Sequence, residues 1–153
     1  MSFRIPYHGA GLAFIKVKNN SFEIFMGKRS RFPFFAAWSI PGGSVENALA
    51  EDELTAATRE FYEETGIDPK PFMTEPLGKW EKKLPCFKWT SFFYLTDATF
   101  ENSKPNEFFK LKWVSYRSLC KYYKRPFTKA EMKSVASMLE RAVITSADKF
   151  SQN

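Results

Sequence analysis

One stretch near the middle of the chain restricts the fold most. From about Glu51 to Thr65 the apolar or small residues Leu54, Ala57, Thr58, Phe61 and Tyr62 recur at helical spacing, and Gly66 stands where a left-handed C-terminal cap would. The sequence on either side has strand character instead. Before the helix, apolar residues alternate from Leu12 to Val17 and from Phe22 to Met26 around Lys18-Asn19-Asn20-Ser21, the pattern of a β-hairpin. Arg31 to Trp38 is aromatic and interrupted by Pro33, which predicts an irregular loop before a short strand ending at Ile40; Pro41-Gly42-Gly43 then breaks the pattern. After the helix, Phe87 to Leu95 and Phe108 to Ser115 are dense in β-favouring aromatic residues. A second long helix is predicted from Thr128, which has capping-box spacing to Glu131, to about Ile144. Strands around one helix, closed by another, predict an α/β or α+β sandwich with mixed sheets.

A chain of 153 residues with a hydrophobic share of 44% suits one buried core, so a single domain over residues 1–153 is expected, with Ser146 to Asn153 as a loose tail. The 17 phenylalanines put flat rings in the core or in a binding cleft. Cys86 and Cys120 lack C-x-x-C spacing and a companion His cluster, so reduced thiols in a cytoplasmic setting are expected rather than zinc or a disulfide framework. Met1 to His8 does not have the form of a leader, and no apolar stretch approaches the roughly 18 residues of a membrane span. The net charge of +6 is uneven. From Lys104 to Lys133 there are nine basic residues against Glu107 and Glu131, which makes either a solvated basic face or a surface for phosphate or RNA.

The chemistry lies in the predicted helix and the turn before it. At about 100° per residue, Glu60, Glu63 and Glu64 share one arc, while Leu54, Ala57 and Phe61 occupy another side. Like charges at these spacings repel by a few tenths of a kcal/mol per pair, and by more where solvent is partly excluded. A positive partner is therefore expected. Oxygen-only ligands favour a hard divalent ion, Mg²⁺ with Mn²⁺ as a substitute, and Arg59 can hold part of the array in place. Gly42 and Gly43, without Cβ atoms, let the backbone approach a ligand closely. An acidic helix face after a glycine turn is also a common structural feature, and the helix residues alone leave both readings open.

At this point the sequence resembles the Nudix hydrolases. Their box reads G-x5-E-x7-R-E-U-x-E-E-x-G-U, U being bulky and apolar, and Gly43, Glu51, Arg59, Glu60, Phe61, Glu63, Glu64, Gly66 and Ile67 supply its fixed letters. Seven residues rather than five separate Gly43 from Glu51. Gly43-Ser44-Val45-Glu46 is similar to the family's usual start, which places the extra length in Asn47-Ala48-Leu49-Ala50 and bears on Glu51 and Glu53 more than on the later glutamates. The resemblance covers about 25 residues and implies an α/β/α sandwich with a mixed central sheet. It implies water attack at phosphorus, with Glu60, Glu63 and Glu64 as metal ligands, the Gly43 carbonyl completing the coordination sphere and Arg59 orienting a glutamate.

The general base in such enzymes is a glutamate of the box or of a later loop. Glu107 is the later-loop residue named here, because Glu107-Phe108 ahead of Trp113-Val114-Ser115-Tyr116 is similar to bacterial RNA 5′-pyrophosphohydrolases of this family; an ordinary loop acid is the alternative. Phe32, Phe34, Phe35 and Trp38 lie just upstream of the box. Phe35 and Trp38 are the expected substrate-stacking rings, against the alternative of core packing. Lone His8 is expected to be a surface or packing residue. The expected function is Mg²⁺-dependent hydrolysis of a phosphoanhydride in a free nucleotide-type small molecule. An RNA 5′ end or a dinucleoside polyphosphate is the second reading, a catalytically silent nucleotide-binding regulator the third, and homodimer formation is left open.

Overall fold

Side-chain alternation along the first strand sets up the layers. In the computed structural model, which describes residues 5–30, 37–47, 50–100, 108–119 and 128–151, β1 (Tyr7–Lys18) and β2 (Ser21–Arg29) form the hairpin. Asn19 and Asn20 both take positive φ, the conformation of a two-residue turn whose twist matches its strands. Ala10, Leu12 and Phe14 point to one face of the sheet, and Ala13 and Ile15 to the other. Successive side chains on a strand face opposite ways, so one strand serves two cores.

The other strands are β3 (Trp38–Ser39), β4 (Gly42–Ser44), β5 (Glu75–Leu84), β6 (Phe87–Leu95) and β7 (Phe108–Ser115). β6 runs parallel to β1 along one edge, and β5 lies antiparallel outside β6. The other edge of β1 is shared. β2 takes it from Ile15 to Lys18, and β4 takes it from Gly9 to Gly11. Past that fork β2 pairs with β3, and β7 lies along its far side. The fork is what admits the short glycine strand β4 into the middle of the sheet.

α1 (Glu53–Thr65) covers one face, burying Ala56, Ala57 and Phe61 against Leu12, Phe14 and Phe25. Asp52 caps it, its Oδ1 accepting from the Thr55 N–H at 2.7 Å, and Gly66 closes it at φ 75°. α3 (Thr128–Ser151) covers the opposite face with Met132, Val135 and Met138, after the short α2 (Tyr116–Leu119). The result is an α/β/α sandwich around a mixed sheet. Much of the phenylalanine content goes into the α1-side core, where Phe61 and Phe14 meet edge-on at 5.4 Å and Phe100 contacts Phe14, Phe25 and Phe72. Each such ring contributes roughly 1.5–3 kcal/mol by leaving water.

The structure corrects several expectations. β5 lacks a sequence signal because it is an edge strand, mostly exposed, charged, and bulged between Pro76 and Gly78. β1 begins at Tyr7 rather than near Leu12, because Gly9, Ala10 and Gly11 break the apolar alternation there and the two glycines lie under other side chains. Gly42 and Gly43 do not end a strand but form one. α3 runs to Ser151 rather than ending near Ile144, since Ala147-Asp148-Lys149-Phe150 holds no Gly or Pro to stop it.

Candidate active site

β4 and α1 meet at the glycine pair. Gly43 has the Glu60 carboxylate directly against its Cα: a Cβ placed there would lie 2.6 Å from each of the two carboxylate oxygens. Any larger residue displaces Glu60 or the strand. One residue earlier, the Gly42 N–H donates to Glu64 Oε2 at 3.2 Å, and Glu64 is buried. Two carboxylates one helical turn apart are thus drawn to adjacent glycines of a strand. The third, Glu63, is more than half exposed at its side chain.

Arg59 binds the group together. Its Nε donates to Glu51 Oε2 at 3.1 Å and its Nη2 to Glu51 Oε1 at 2.7 Å, a bidentate pair. Nη1 donates to Glu60 at 3.0 Å and to Glu63 at 3.3 Å, and Nη2 also reaches the Ser44 carbonyl at 3.0 Å. The bonds to Glu51, ahead of those to Glu60, hold the guanidinium charged well above its ordinary range despite partial burial. Reciprocally, the Arg59 hydrogen bond holds the Glu51 carboxyl below the ordinary glutamate range.

The loop with two extra residues leaves this arrangement intact. Ala50 takes a positive φ of 49° with its N–H on the Asn47 carbonyl at 3.1 Å, and Glu51 then accepts from the Glu46 N–H at 2.8 Å while gripping Arg59. Sequence spacing left the role of Glu51 unsettled because it depends on how the loop folds back.

A second cluster was not legible in the sequence. Glu53, in the first turn of α1, accepts from His8 Nε2 at 2.8 Å and pairs with Lys88. His8 and Lys88 are partners in the β1–β6 ladder, so both side chains reach the same carboxylate. Burial alone would raise Glu53; the bonds from Lys88 and His8 and the Lys88 charge outweigh it and hold the group at about 2. His8, expected to be a surface or packing residue, thus ties the start of α1 to the sheet. Distance in sequence hid it.

Trp38 packs half-buried against the α3-side core, with Lys112 Nζ 4.8 Å from its ring centroid. Phe32, Phe34, Phe35 and Glu107 lie outside the described residues. Among the described residues no three or more acidic, His or Cys side chains form a group that could hold a metal ion on their own. An open set fits Mg²⁺, which takes one or two protein carboxylates and completes its shell with water and phosphate oxygens. The donors at Gly42 and Gly43 are hard oxygens, and the contact between Gly43 and Glu60 leaves room for no side chain there. The residues present fit the ion.

Comparison with known proteins gives a consistent result. A family model described as NUDIX domain matches residues 7–136. The RNA pyrophosphohydrolase of Roseobacter denitrificans is 38% identical over 82 residues, covering 54% of this chain and 47% of that protein, so the chain spans about half the length of this curated relative. The fold is shared with solved structures. The NUDIX domain of Shewanella oneidensis NrtR, complexed with ADP ribose, aligns with a TM-score of 0.64 at 15% identity over 86% of each chain. A Caenorhabditis elegans Ap4A hydrolase binary complex aligns with a TM-score of 0.61 at 20% identity over 91% of this chain and 98% of that one.

Proposed function

Because this chain belongs to the NUDIX domain family, we propose that it hydrolyses a phosphoanhydride bond in a nucleoside di- or triphosphate-linked substrate, by attack of water at phosphorus. The observation that carries the reading is the meeting of Glu60 and Glu64 with Gly43 and Gly42. Glu60, Glu63, Glu64 and the Gly43 carbonyl would hold Mg²⁺ or Mn²⁺. A bound divalent ion would neutralise the diphosphate charge and acidify the attacking water.

The protein's own groups do the positioning. Arg59 fixes Glu60 and Glu63 through Nη1 and is itself fixed by Glu51. Glu63, more exposed than its neighbours, can turn toward a bound divalent ion by giving up one 3.3 Å bond to Arg59. Glu107 is assigned the general base, and Phe35 and Trp38 the stacking contacts to a base. A cytoplasmic location suits the exposed free thiol of Cys86.

A second reading, release of pyrophosphate from an RNA 5′ end, is supported by the Roseobacter relative and by a basic ladder in which Lys28 faces Lys110, with Lys112 two residues on. Cleavage of a dinucleoside polyphosphate is supported by the Ap4A hydrolase fold match. The test is a phosphate-release screen with Mg²⁺ over nucleoside triphosphates, ADP-ribose, dinucleoside polyphosphates and triphosphorylated RNA, beside Glu63→Gln and Glu107→Gln. Turnover of one class, lost in Glu63→Gln while nucleotide binding persists, is the expected result. Nucleotide binding with no turnover of any class means a silent regulator and overturns the enzymatic reading. Full activity of Glu107→Gln removes that residue as the base.

A further inference from the structure

Three glycines near the site share a neighbour that the mechanism above does not use. Trp89, on β6 and 5% exposed, lies flat across β1 on the α3 side of the sheet. A Cβ added to Gly9 would fall 2.7 Å from its Cε3, one added to Gly11 would fall 2.9 Å from its Cζ2, and one added to Gly42 would fall 2.8 Å from its Cη2. The long axis of the indole therefore runs from β1 to β4. At its other side Nε1 donates to Ser91 Oγ at 2.8 Å, which fixes the ring's orientation. Ser91 is fully buried, so this bond forms away from water.

Gly42 is held from both sides. Its N–H points to Glu64 on the α1 side, and the far edge of the indole rests against it on the other. We propose that Trp89 is a positioning residue for the carboxylate cluster: its six-membered ring is the floor that keeps the Gly42-Gly43 strand pressed toward Glu64 and Glu60. The absence of side chains at Gly9 and Gly11 is what lets the indole lie that low. Gly42 also rests on the β1 backbone at Ala10 and Gly11, and a smaller ring at position 89 takes away the third contact, an edge that a phenyl group does not reach. The β4 backbone then relaxes toward the gap, since interiors lose contact energy around voids. Glu60 and Glu64 lose their fixed separation from it.

This inference rests on the metal-dependent reading above, and its test separates the two. Mn²⁺ alone is titrated into the full chain and the free ion followed by electron paramagnetic resonance, with steady-state kinetics on the best substrate alongside. Trp89→Phe is expected to weaken Mn²⁺ binding about tenfold or more and to lower kcat with KM changed less than about twofold, the scale typical of groups that orient ligands. Phe93→Leu, in the same strand and buried in the α3-side core, is the control: it lowers Tm and leaves Mn²⁺ affinity unchanged. If Trp89→Phe does not fold, Ser91→Ala decides. It removes only the indole's hydrogen bond and is expected to weaken Mn²⁺ binding about threefold. Wild-type Mn²⁺ affinity in Ser91→Ala and in a folded Trp89→Phe overturns the inference and leaves the proposed function standing. Equal losses in Trp89→Phe and Phe93→Leu at equal Tm also overturn it. Wild-type protein that neither binds Mn²⁺ nor turns over substrate overturns both.

Discussion

Arg59 and Glu51 illustrate how little of a residue's role is visible in its own position. Among the described residues Arg59 has three acidic partners, and of these only Glu51 meets it with both carboxylate oxygens. Without Glu51 the guanidinium keeps its contacts to Glu60 and Glu63 but loses the anchor that sets its plane. Glu51→Gln is therefore expected to reduce kcat by roughly 10- to 100-fold with KM nearly constant, as for other residues that orient ligands. Steady-state kinetics at saturating Mg²⁺ check this, and a wild-type kcat would show that the clamp is dispensable.

At the scale of elements, α1 is attached to the sheet at both ends. Phe61 packs its C-terminal half against Phe14 and Phe25, while Glu53 ties its first turn to His8 on β1 and Lys88 on β6. The register of the helix against β4, and so the meeting of Glu60 with Gly43, follows from these two attachments. Glu53 sits at about 2 in the folded chain against an ordinary value of 4.5. A depressed carboxylate adds stability above its unfolded value, and that stability is lost as the pH falls through the folded value. Glu53→Gln is expected to lower Tm by roughly 2–4 °C at pH 7, and the gap from wild type should close between about pH 4.5 and pH 2. Thermal melts across that range test it. A gap that stays constant down to pH 2 means the carboxylate contributes no charge-dependent stability.

At the scale of the whole molecule, the net charge of +6 has a structural focus. Lys28 lies opposite Lys110 in the β2–β7 ladder and opposite Trp38 in the β2–β3 ladder, and Lys112 stands over Trp38. Like charges facing each other across strands cost stability, and this ladder places no acid opposite them. On the RNA reading, replacing Lys28, Lys110 and Lys112 together with Gln is expected to flatten the dependence of log affinity on log salt by about 2 for triphosphorylated RNA. Hydrolysis of a free nucleotide should stay within about twofold. An unchanged salt slope excludes this face from RNA contact.

The sequence by itself determined the two helices, the first hairpin, two later strands and the acidic face of α1, because each is written in local spacing. Period, cap and turn residues such as Asn19-Asn20 and Gly66 act within a few positions of themselves. Only the tertiary structure decided that Gly42-Gly43 is a strand inside a fork of the sheet, that Glu51 clamps Arg59 despite the longer loop, and that Glu53, His8 and Lys88 meet. It likewise decided β5, whose exposed edge has no apolar alternation. These features depend on which strands become neighbours and in what register, and register is fixed by the packing of two faces at once rather than by any one segment.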